Sequence, residues 1–461
     1  MAFEFVDRRR LLAGLTATAL MSSPSPAQRR SGRAIVIGAG AAGLACAHDM
    51  VRAGLDVVVL EARTRIGGRL DTSRQWGDLP VELGASWIHG VGGNPAAIAA
   101  RAAGLELHPV DYDNRAVYEA GEGVLGDLAL ERLETLENRL QDYAAHAPGD
   151  ALERACRTRP RGTLANRLAR LVGLEATGAS KRQRRQFAIN SLVEHEYGTD
   201  FEQLSRCFWT EGEDLPGGDA LVVGGFDRLA QSLAAGLDIR LGQRVEQISY
   251  HGSGVSVTTA GGSEQADVVV VTVPLGVLQA GHIRFEPGLP PAKTAAIAAL
   301  GSGLLNKCVL KFDAVSWPRN IEFFHRLADE RGEWSAFVNH AASGQGPMIT
   351  GFNAGTFARE LEGVGDVQTG QLALEALRSM FGTGFPEPSG VQVTRWGSDE
   401  QAFGSISFPT VETRSDSRIR LLDAIDGRVF FAGEATSTNA PGTVHGALRS
   451  GRAAALAVVE R

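Results

Sequence analysis

The sequence predicts an α/β fold, in which a Rossmann-like parallel sheet is assembled from three separated chain segments and an α+β domain is inserted between them. Three stretches indicate it: a strand–glycine turn–helix–strand unit at 33–61, a valine-rich strand at 267–273, and a strand–acid–helix unit from 429 onward. A chain of 461 residues exceeds what one hydrophobic core usually supports. We expect the first domain at 32–80, 217–287 and 395–461, and the second at 81–216 and 288–394.

The first of these units has the spacing of a dinucleotide site. The strand Ala34–Ile37 enters the turn Gly38-Ala39-Gly40-Ala41-Ala42-Gly43, a helix follows, and the strand Val57–Leu60 ends at Glu61. In such a turn the first glycine permits the tight bend, the second lets backbone approach a pyrophosphate, and the third lets the helix pack on the sheet. We therefore expect a pyrophosphate at Gly38, Gly40, Ala42 and Gly43, and a ribose at Glu61. A glycine-rich surface turn is the alternative, which the flanking strands and the acid disfavour.

A second glycine turn, Arg65-Ile66-Gly67-Gly68-Arg69, follows shortly after Glu61. Its glycines bring backbone close to a ligand, and Arg69 can meet phosphate oxygens. A second basic turn just after the ribose acid suits FAD, whose reactive half is bulkier than that of a nicotinamide cofactor. The sequence therefore predicts FAD, with Ala62, Arg63, Gly68 and Arg69 among its contacts.

Glycines crowd two apolar side chains and a histidine in the loop Gly84-Ala85-Ser86-Trp87-Ile88-His89-Gly90. A loop so rich in glycine allows its backbone to pack closely against a flat ligand. We therefore expect Gly84, Ala85, Ser86 and Trp87 beside the cofactor. His89 has two interpretations, as a structural histidine or as part of the site, and the sequence does not decide between them.

Two further stretches carry titratable side chains. Glu194-His195-Glu196 lies in a helical stretch, where its carboxylates either face a cationic ligand or form a solvated helix face. The strand Leu305–Phe312 alternates with period two, which separates Lys307 from Cys308 and makes an exposed strand lysine the simplest interpretation.

Charge and cysteine content disfavour several classes of partner. The net charge of −7 argues against a nucleic-acid partner. The 4 cysteines are scattered without CxxC or Cys/His spacing, which predicts no metal site, and the sequence cannot pair them into disulfides. No segment has the length of a transmembrane helix, so we expect no stable membrane anchor.

The N-terminus has the features of an export signal. Arg8-Arg9-Arg10-Leu11-Leu12 is a twin-arginine pattern, the apolar run up to Met21 is too short for an anchor, and Ser25-Pro26-Ala27 resembles a cleavage site. A disordered basic tail is the alternative. We expect residues 1–27 to be a twin-arginine-type signal and the mature protein to be periplasmic or secreted.

Together the motifs resemble those of the flavin-containing amine oxidases, most closely the polyamine oxidases and their histone-demethylase relatives. The resemblance runs from Arg33 to the C-terminus and rests on the two glycine turns, Leu83–Gly90, Val273–Leu278, Asn306-Lys307, Phe431-Ala432-Gly433-Glu434 and Thr443–Ala447. It implies an FAD-dependent enzyme that oxidises a primary or secondary, polyamine-like amine by hydride transfer to flavin N5. The imine would be hydrolysed, and oxygen would be reduced to hydrogen peroxide.

The resemblance also implies residue roles. Lys307 matches a lysine that holds a water against flavin N5, His89 matches a histidine near the amine in some polyamine oxidases, and Glu194 falls at a substrate-facing carboxylate. The other implied cofactor contacts are Val245 at adenine, Pro274, Trp396 near the isoalloxazine, Gly433 and Glu434 at the ribityl or phosphate region, and Thr443 and Val444 at the pyrimidine edge.

The sequence departs from the family pattern where relatives often carry aromatic residues, at Ile406 and Ala440, so a wider or more apolar pocket is expected. No cysteine lies in the C-terminal segment, where monoamine oxidases attach FAD, so FAD is expected to bind non-covalently. Two alternatives stay open. One is an L-amino-acid oxidase or other flavin desaturase on the same fold, and the other is a non-catalytic flavoprotein that binds a ligand or partner.

Overall fold

The computed structural model describes residues 32–119, 121–146, 163–173, 178–328 and 330–461. The expected signal at 1–27 therefore lies outside the described residues. Among the helices that are described, none combines the length and the apolar character needed to cross a membrane.

A five-stranded parallel sheet forms the centre of the first domain and confirms the prediction that this domain is built from three chain segments. In spatial order its strands are Asp238–Arg240, Asp56–Leu60, Arg33–Ile37, Val268–Val271 and Val429–Phe431. All pairings are parallel, so the carboxyl ends of the strands lie at one edge. Ligands of open parallel sheets bind outside that edge. The domain boundaries given above stay a prediction.

Both faces of this sheet are covered, which explains its near-continuous runs of buried valine and isoleucine. One face packs against the helices Ala41–Arg52 and Val444–Val459. These two helices approach closely at Gly451, because it has no side chain: a Cβ there would lie 2.1 Å from the carbonyl oxygen of Ala42. The other face packs against a four-stranded sheet, in the order Gly262–Ala266, Val255–Thr259, Val245–Ser249 and Arg284–Glu286.

A seven-stranded, mostly antiparallel sheet forms the second domain, which is the α+β domain that the sequence predicts. Its strands follow the order Gly390–Val393, Leu305–Lys311, Met348–Ala354, Ala336–Asn339, Phe323–Leu327, Arg115–Glu119 and Gly123–Val124. The strand Leu305–Lys311 pairs with Met348–Ala354 in a register that sets Lys307 opposite Phe352. Leu374 and Leu377 of the helix Asp366–Phe381 pack in one cluster with Cys308 and Leu310.

A small three-stranded sheet brings three loops together between these units. It consists of Trp87–Ile88, Ala220–Val222 and Leu107–Pro109, with Ala220–Val222 in the middle. Both pairings are antiparallel, and Ala220 lies opposite Ile88 on one side and Pro109 on the other. The residue before Ala220 therefore lies beside the residues that follow the two outer strands.

The remaining elements are two short strand pairs, Thr72–Ser73 with Val81–Glu82 and Leu300–Gly303 with Ile406–Pro409. The other α-helices described are Pro95–Ala102, Asp127–His146, Ala165–Val172, Ala179–Ile189, His195–Tyr197, Asp227–Ala234, Leu275–Ala280, Pro291–Ala299, Gly355–Glu362 and Ser417–Leu422. A π-helix spans Asn190–Glu194, and a 3₁₀-helix spans Glu434–Thr436.

Candidate active site

A large cavity opens at the carboxyl edge of the parallel sheet and reaches the seven-stranded sheet at Lys307 and Phe352. Of the residues expected to contact the cofactor, all but Gly43 line it. They are Gly38, Gly40, Ala42, Glu61, Ala62, Arg63, Gly68, Arg69, Gly84, Ala85, Ser86, Trp87, Val245, Pro274, Trp396, Gly433, Glu434, Thr443 and Val444. The cavity thus collects the separated motifs into one site.

The two glycine turns contact each other at one wall of this cavity. Gly38 has a positive φ of 103°, and the N–H of Gly67 donates to the carbonyl oxygen of Ala39 over 2.8 Å. Gly43 lies underneath, where a Cβ would be 2.0 Å from the carbonyl oxygen of Gly38. Gly43 therefore serves helix packing and does not line the cavity.

Glu61 joins the end of its strand to the first glycine turn. Its carboxylate accepts hydrogen bonds from the N–H of Ala39 over 2.7 Å and from the N–H of Arg63 over 2.8 Å. Residues 22 positions apart are thereby held together at the cavity wall. A carboxylate fixed in this place can accept hydrogen bonds from a ribose.

Arg69 and the buried Glu434 form an ion pair on another part of the wall. Arg69 Nη1 donates to Glu434 Oε1 over 3.0 Å and to the carbonyl oxygen of Ser405 over 2.8 Å. Burial alone would raise the pKa of Glu434, but Arg69, with help from Ser407 and Arg418, outweighs it and holds the pKa below its usual range. Glu434 is therefore an ionised carboxylate in the folded protein at neutral pH.

These features fit FAD. The first turn of the helix Ala41–Arg52 directs unpaired N–H groups and a positive dipole end toward the cavity, as a pyrophosphate requires. Glu61 suits the ribose, and Arg69 suits a phosphate or ribityl oxygen. Trp396 lines the cavity and is fixed by a 3.1 Å hydrogen bond from its Nε1 to the carbonyl oxygen of Leu83.

Lys307 is buried, so the simplest interpretation of its strand pattern is wrong. Its Nζ donates three hydrogen bonds, to the carbonyl oxygens of Glu82 (2.9 Å) and Gly84 (2.5 Å) and to Ser86 Oγ (2.6 Å). Burial lowers the pKa of Lys307 to about 8, and the nearby Glu82 carboxylate opposes this shift. The ammonium is thus held at the cavity wall with a proton that it can lose near neutral pH.

The aromatic rings of Trp87 and Phe352 lie beside Lys307, with their centroids 5.7 Å apart. The Nζ of Lys307 is 5.5 Å from the Phe352 centroid. Phe352 carries no motif that would have identified it in the sequence. Only the strand register, which sets it opposite Lys307, brings it into the site.

His89 lines the cavity, so it can reach a ligand bound there. Its Nδ1 lies 2.7 Å from Asp219 Oδ2, and 51% of its side chain remains exposed. Burial alone would lower the pKa of His89, but the hydrogen bond to Asp219 and the charges of Glu196 and Asp214 raise it above its usual value.

Glu194 does not line the cavity, and its expected role as a substrate-facing carboxylate is not supported by its position. It is buried against Arg331, 3.1 Å from Nε, and accepts hydrogen bonds from Asn190 and from the N–H of Phe201. Burial raises the pKa of Glu194 to about 7, and Arg331 opposes this shift. Glu196, two residues later, is the exposed carboxylate whose charge acts on His89 and Tyr112.

The two positions at which the family often has aromatic residues differ in placement. Ile406 lines the cavity, whereas Ala440 is buried and its carbonyl oxygen accepts a hydrogen bond from Thr443 Oγ1. Of these two residues, only Ile406 therefore contributes aliphatic surface to the cavity.

A metal site needs a cluster of ligating side chains, and a reactive thiol needs a lowered pKa and some exposure. Within the residues that the structure describes, no group of His, Cys, Asp and Glu could hold a metal ion. Cys46 and Cys308 are free but buried, which raises the pKa of both thiols.

The chain matches known proteins over almost its whole length. The sequence profile of the flavin-containing amine oxidoreductases matches residues 41–459. Polyamine oxidase 2 of Arabidopsis thaliana is 37% identical over 440 residues, covering 92% of this chain and 88% of that protein. Lysine-specific histone demethylase 1 homolog 1 of Oryza sativa subsp. japonica is 34% identical over 449 residues, covering 90% of this chain and 51% of that protein.

The fold is also similar to that of a solved putrescine oxidase bound to putrescine. The TM-score is 0.75 at 18% identity, and the match covers 94% of this chain and 99% of that one. The profile and the relatives agree with the cavity, which has the contacts of an FAD site. The chain therefore belongs to the family of flavin-containing amine oxidoreductases and is an FAD-dependent amine oxidase.

Proposed function

We propose that this enzyme oxidises a polyamine-like amine, one that carries a second positive charge away from the reacting carbon. The observation that supports this most directly is the set of carboxylates around His89, which itself lines the cavity: Asp219 is in contact with it, and Glu196 and Asp214 are close enough to raise its pKa. Negative charge beside the site attracts a remote ammonium group. The relatives named polyamine oxidases and the similar putrescine oxidase fold agree with this substrate class.

The reacting amine would lie in the less polar part of the cavity, near Trp87, Phe352 and Ile406. An apolar surrounding disfavours the ammonium form, so the amine loses its proton more easily there. Bound FAD supplies the acceptor for the hydride that leaves the carbon beside the nitrogen. Lys307, buried next to Ser86, would give and take a proton at that wall.

Molecular oxygen is the proposed acceptor of the electrons, with hydrogen peroxide as its product. Parallel measurements of peroxide and of aldehyde in air should therefore give equal amounts. Turnover with an artificial dye but without peroxide would show that another acceptor is used.

An amino-acid substrate is disfavoured by the charges of the cavity. Such an enzyme needs an arginine free to pair with the substrate carboxylate. The three arginines that line the cavity are each already paired, Arg63 with Asp399 at 2.8 Å, Arg69 with Glu434 at 3.0 Å and Arg244 with Glu400 at 3.0 Å.

The test is anaerobic mixing of the holoenzyme with polyamines, monoamines and amino acids, followed by flavin absorbance. We expect spermidine or putrescine to bleach the flavin faster than a monoamine of equal length. Faster bleaching by an amino acid would favour the amino-acid oxidase. If no amine reduces the flavin, the alternative of a non-catalytic flavoprotein gains support.

We also propose that the protein is exported by the twin-arginine route, on the basis of Arg8-Arg9 and the short apolar run that follows. Replacing Arg8 and Arg9 by lysine in the full chain should keep active enzyme in the cytoplasm. Unchanged distribution between cytoplasm and periplasm, or an intact N-terminus on the mature protein, would contradict export.

A further inference from the structure

Asp219 lies beside His89 because of the register of the small three-stranded sheet. Ile88 pairs with Ala220 in antiparallel orientation, so His89 and Asp219 occupy the next opposed positions. The other neighbour of the middle strand ends at Pro109, three residues before Tyr112. The side chains of His89 and Tyr112 consequently meet at one carboxylate.

The Asp219 carboxylate is fully engaged by these neighbours. Oδ2 lies 2.7 Å from His89 Nδ1 and accepts a 2.9 Å hydrogen bond from the Tyr112 hydroxyl, while Oδ1 accepts a 2.8 Å hydrogen bond from the N–H of Gly90. These contacts hold the pKa of Asp219 below its usual value even though burial opposes this. Because an ionised carboxylate only accepts hydrogen bonds, the nitrogen facing it must carry the proton.

The opposite ring nitrogen of His89, Nε2, is available to a ligand in the cavity. His89 lines the cavity, and Nε2 has no hydrogen-bond partner among the residues that the structure describes. In the neutral ring with a proton on Nδ1, Nε2 carries a lone pair. Such a lone pair can accept a hydrogen bond from an N–H group of an amine.

We propose that Asp219 is a positioning residue that holds the proton of His89 on Nδ1, so that Nε2 of the neutral ring accepts a hydrogen bond from the substrate nitrogen. The role of Nε2 presupposes the amine substrate proposed above, whereas the tautomer of His89 does not depend on the substrate. Tyr112 supports Asp219 from the other side, and its ring is stacked on Phe323 with centroids 5.2 Å apart.

Protonation of His89 would turn the acceptor at Nε2 into a donor that faces a cation. The titratable groups that act on His89 or its partners are Asp219, Tyr112, Glu196, Asp214, Glu322 and His445. Amine binding is therefore expected to strengthen as the pH rises through the pKa of His89, since only the neutral ring offers the lone pair.

Asp219→Asn tests this assignment. Asn can keep the contact with the Gly90 N–H through its oxygen, but its NH₂ group then donates to Nδ1 and moves the proton of His89 to Nε2. Long-range ¹H–¹⁵N spectra of the holoenzyme labelled on histidine, recorded above the pKa of His89, should show an Nδ1–H tautomer in the wild type and an Nε2–H tautomer in D219N. Anaerobic flavin reduction should give a dissociation constant for spermidine raised roughly tenfold or more in D219N.

Two variants serve as controls. Tyr112→Phe removes one partner of Asp219 but leaves the contact with His89, so the tautomer should remain Nδ1–H. His89→Gln removes the ring, and D219N combined with it should bind spermidine no more weakly than H89Q alone. FAD content and thermal unfolding of each variant are compared with those of the wild type.

An Nε2–H tautomer in the wild-type protein would overturn the assignment without any variant, even if D219N failed to fold. So would an unchanged tautomer and unchanged spermidine binding in a folded D219N. If spermidine does not bind the wild type but the Nδ1–H tautomer is seen, the substrate proposal fails while the positioning of His89 by Asp219 stands.

Discussion

Arg69 and Glu434 are 365 residues apart in the sequence, yet their side chains form an ion pair with a distance of 3.0 Å. Glu434 also accepts hydrogen bonds from Ser407 Oγ and from the N–H of Gly442. One ion pair therefore connects the second glycine turn with the last strand of the parallel sheet and with the loop before the C-terminal helix. Both of its members line the cavity.

Replacing Arg69 by methionine should weaken FAD binding. The change removes the charge that can meet a cofactor oxygen and leaves the Glu434 carboxylate without its strongest partner. We expect the dissociation constant of FAD, measured by flavin fluorescence on reconstitution, to rise roughly tenfold or more. Arg74→Met is the matched control, because its ion pair with Asp227 lies outside the cavity. Wild-type FAD affinity in R69M would contradict the role of Arg69.

Lys307→Met should remove one ionisable group from the pH dependence of flavin reduction or reoxidation. Burial lowers the pKa of Lys307 to about 8, so the rate of flavin reduction or reoxidation should change with an apparent pKa near 8 in the wild type. This step should be absent in K307M, as stopped-flow absorbance can show. Lys293→Met is a suitable control, because Lys293 also has its pKa lowered to about 8 by burial but does not line the cavity. Identical pH profiles in wild type and K307M would exclude Lys307 from these steps.

Glu194→Gln and Glu196→Gln should affect different properties. E194Q weakens a buried contact with Arg331 and should lower the free energy of unfolding by about 1–3 kcal/mol, with little effect on the KM for spermidine. Because burial raises the pKa of Glu194 to about 7, the wild type loses stability as the pH rises from about 5 to 7, whereas the neutral Gln does not, so this loss should be smaller at pH 8 than at pH 5. E196Q should raise the KM and leave the unfolding midpoint nearly unchanged. A reversed pattern would restore Glu194 as the substrate-facing carboxylate.

Acid should destabilise the fold through its buried histidines. Burial lowers the pKa of His195 and of His340 to about 4 and that of His325 to about 3. The unfolded chain takes up these protons below about pH 6.5, while the folded protein does not, so the free energy of unfolding falls between about pH 6.5 and 4. Urea titrations at several pH values should show that the free energy of unfolding depends less steeply on pH in His340→Gln than in the wild type. The exposed His251→Gln should keep the wild-type slope, and a wild-type slope in H340Q would refute the assignment.

The cofactor site could be predicted from the sequence because its features are local. The turn Gly38–Gly43 is recognised by its glycine spacing, and Glu61 is recognised by its position at the end of a strand. Neither feature depends on a contact between distant parts of the chain. The wall they form also contains residues without such signals. Gln243, Thr272 and Ser405, for example, line the cavity only because other strands and loops end beside it.

The catalytic region was less accessible to prediction because it depends on long-range packing. Alternation along Leu305–Phe312 indicates an exposed Lys307 only if one face of the strand meets solvent, and here the loop at Glu82–Ser86 covers that face. Glu194 and Glu196 differ by about 200° in direction around a helix, so an error of two residues exchanges a buried position for an exposed one. Asp219 follows only from the register with Ile88.

The order of strands in the parallel sheet has a consequence for synthesis on the ribosome. The strand Val429–Phe431 pairs with Val268–Val271, and the helix Val444–Val459 packs on Ala41–Arg52. The nucleotide domain therefore lacks one edge strand and one covering helix until these two elements emerge. Nascent chains that stall before this point would expose the apolar face of Ala41–Arg52 to chaperones. Uptake of the yellow cofactor should then begin only after the helix Val444–Val459 has emerged from the ribosome.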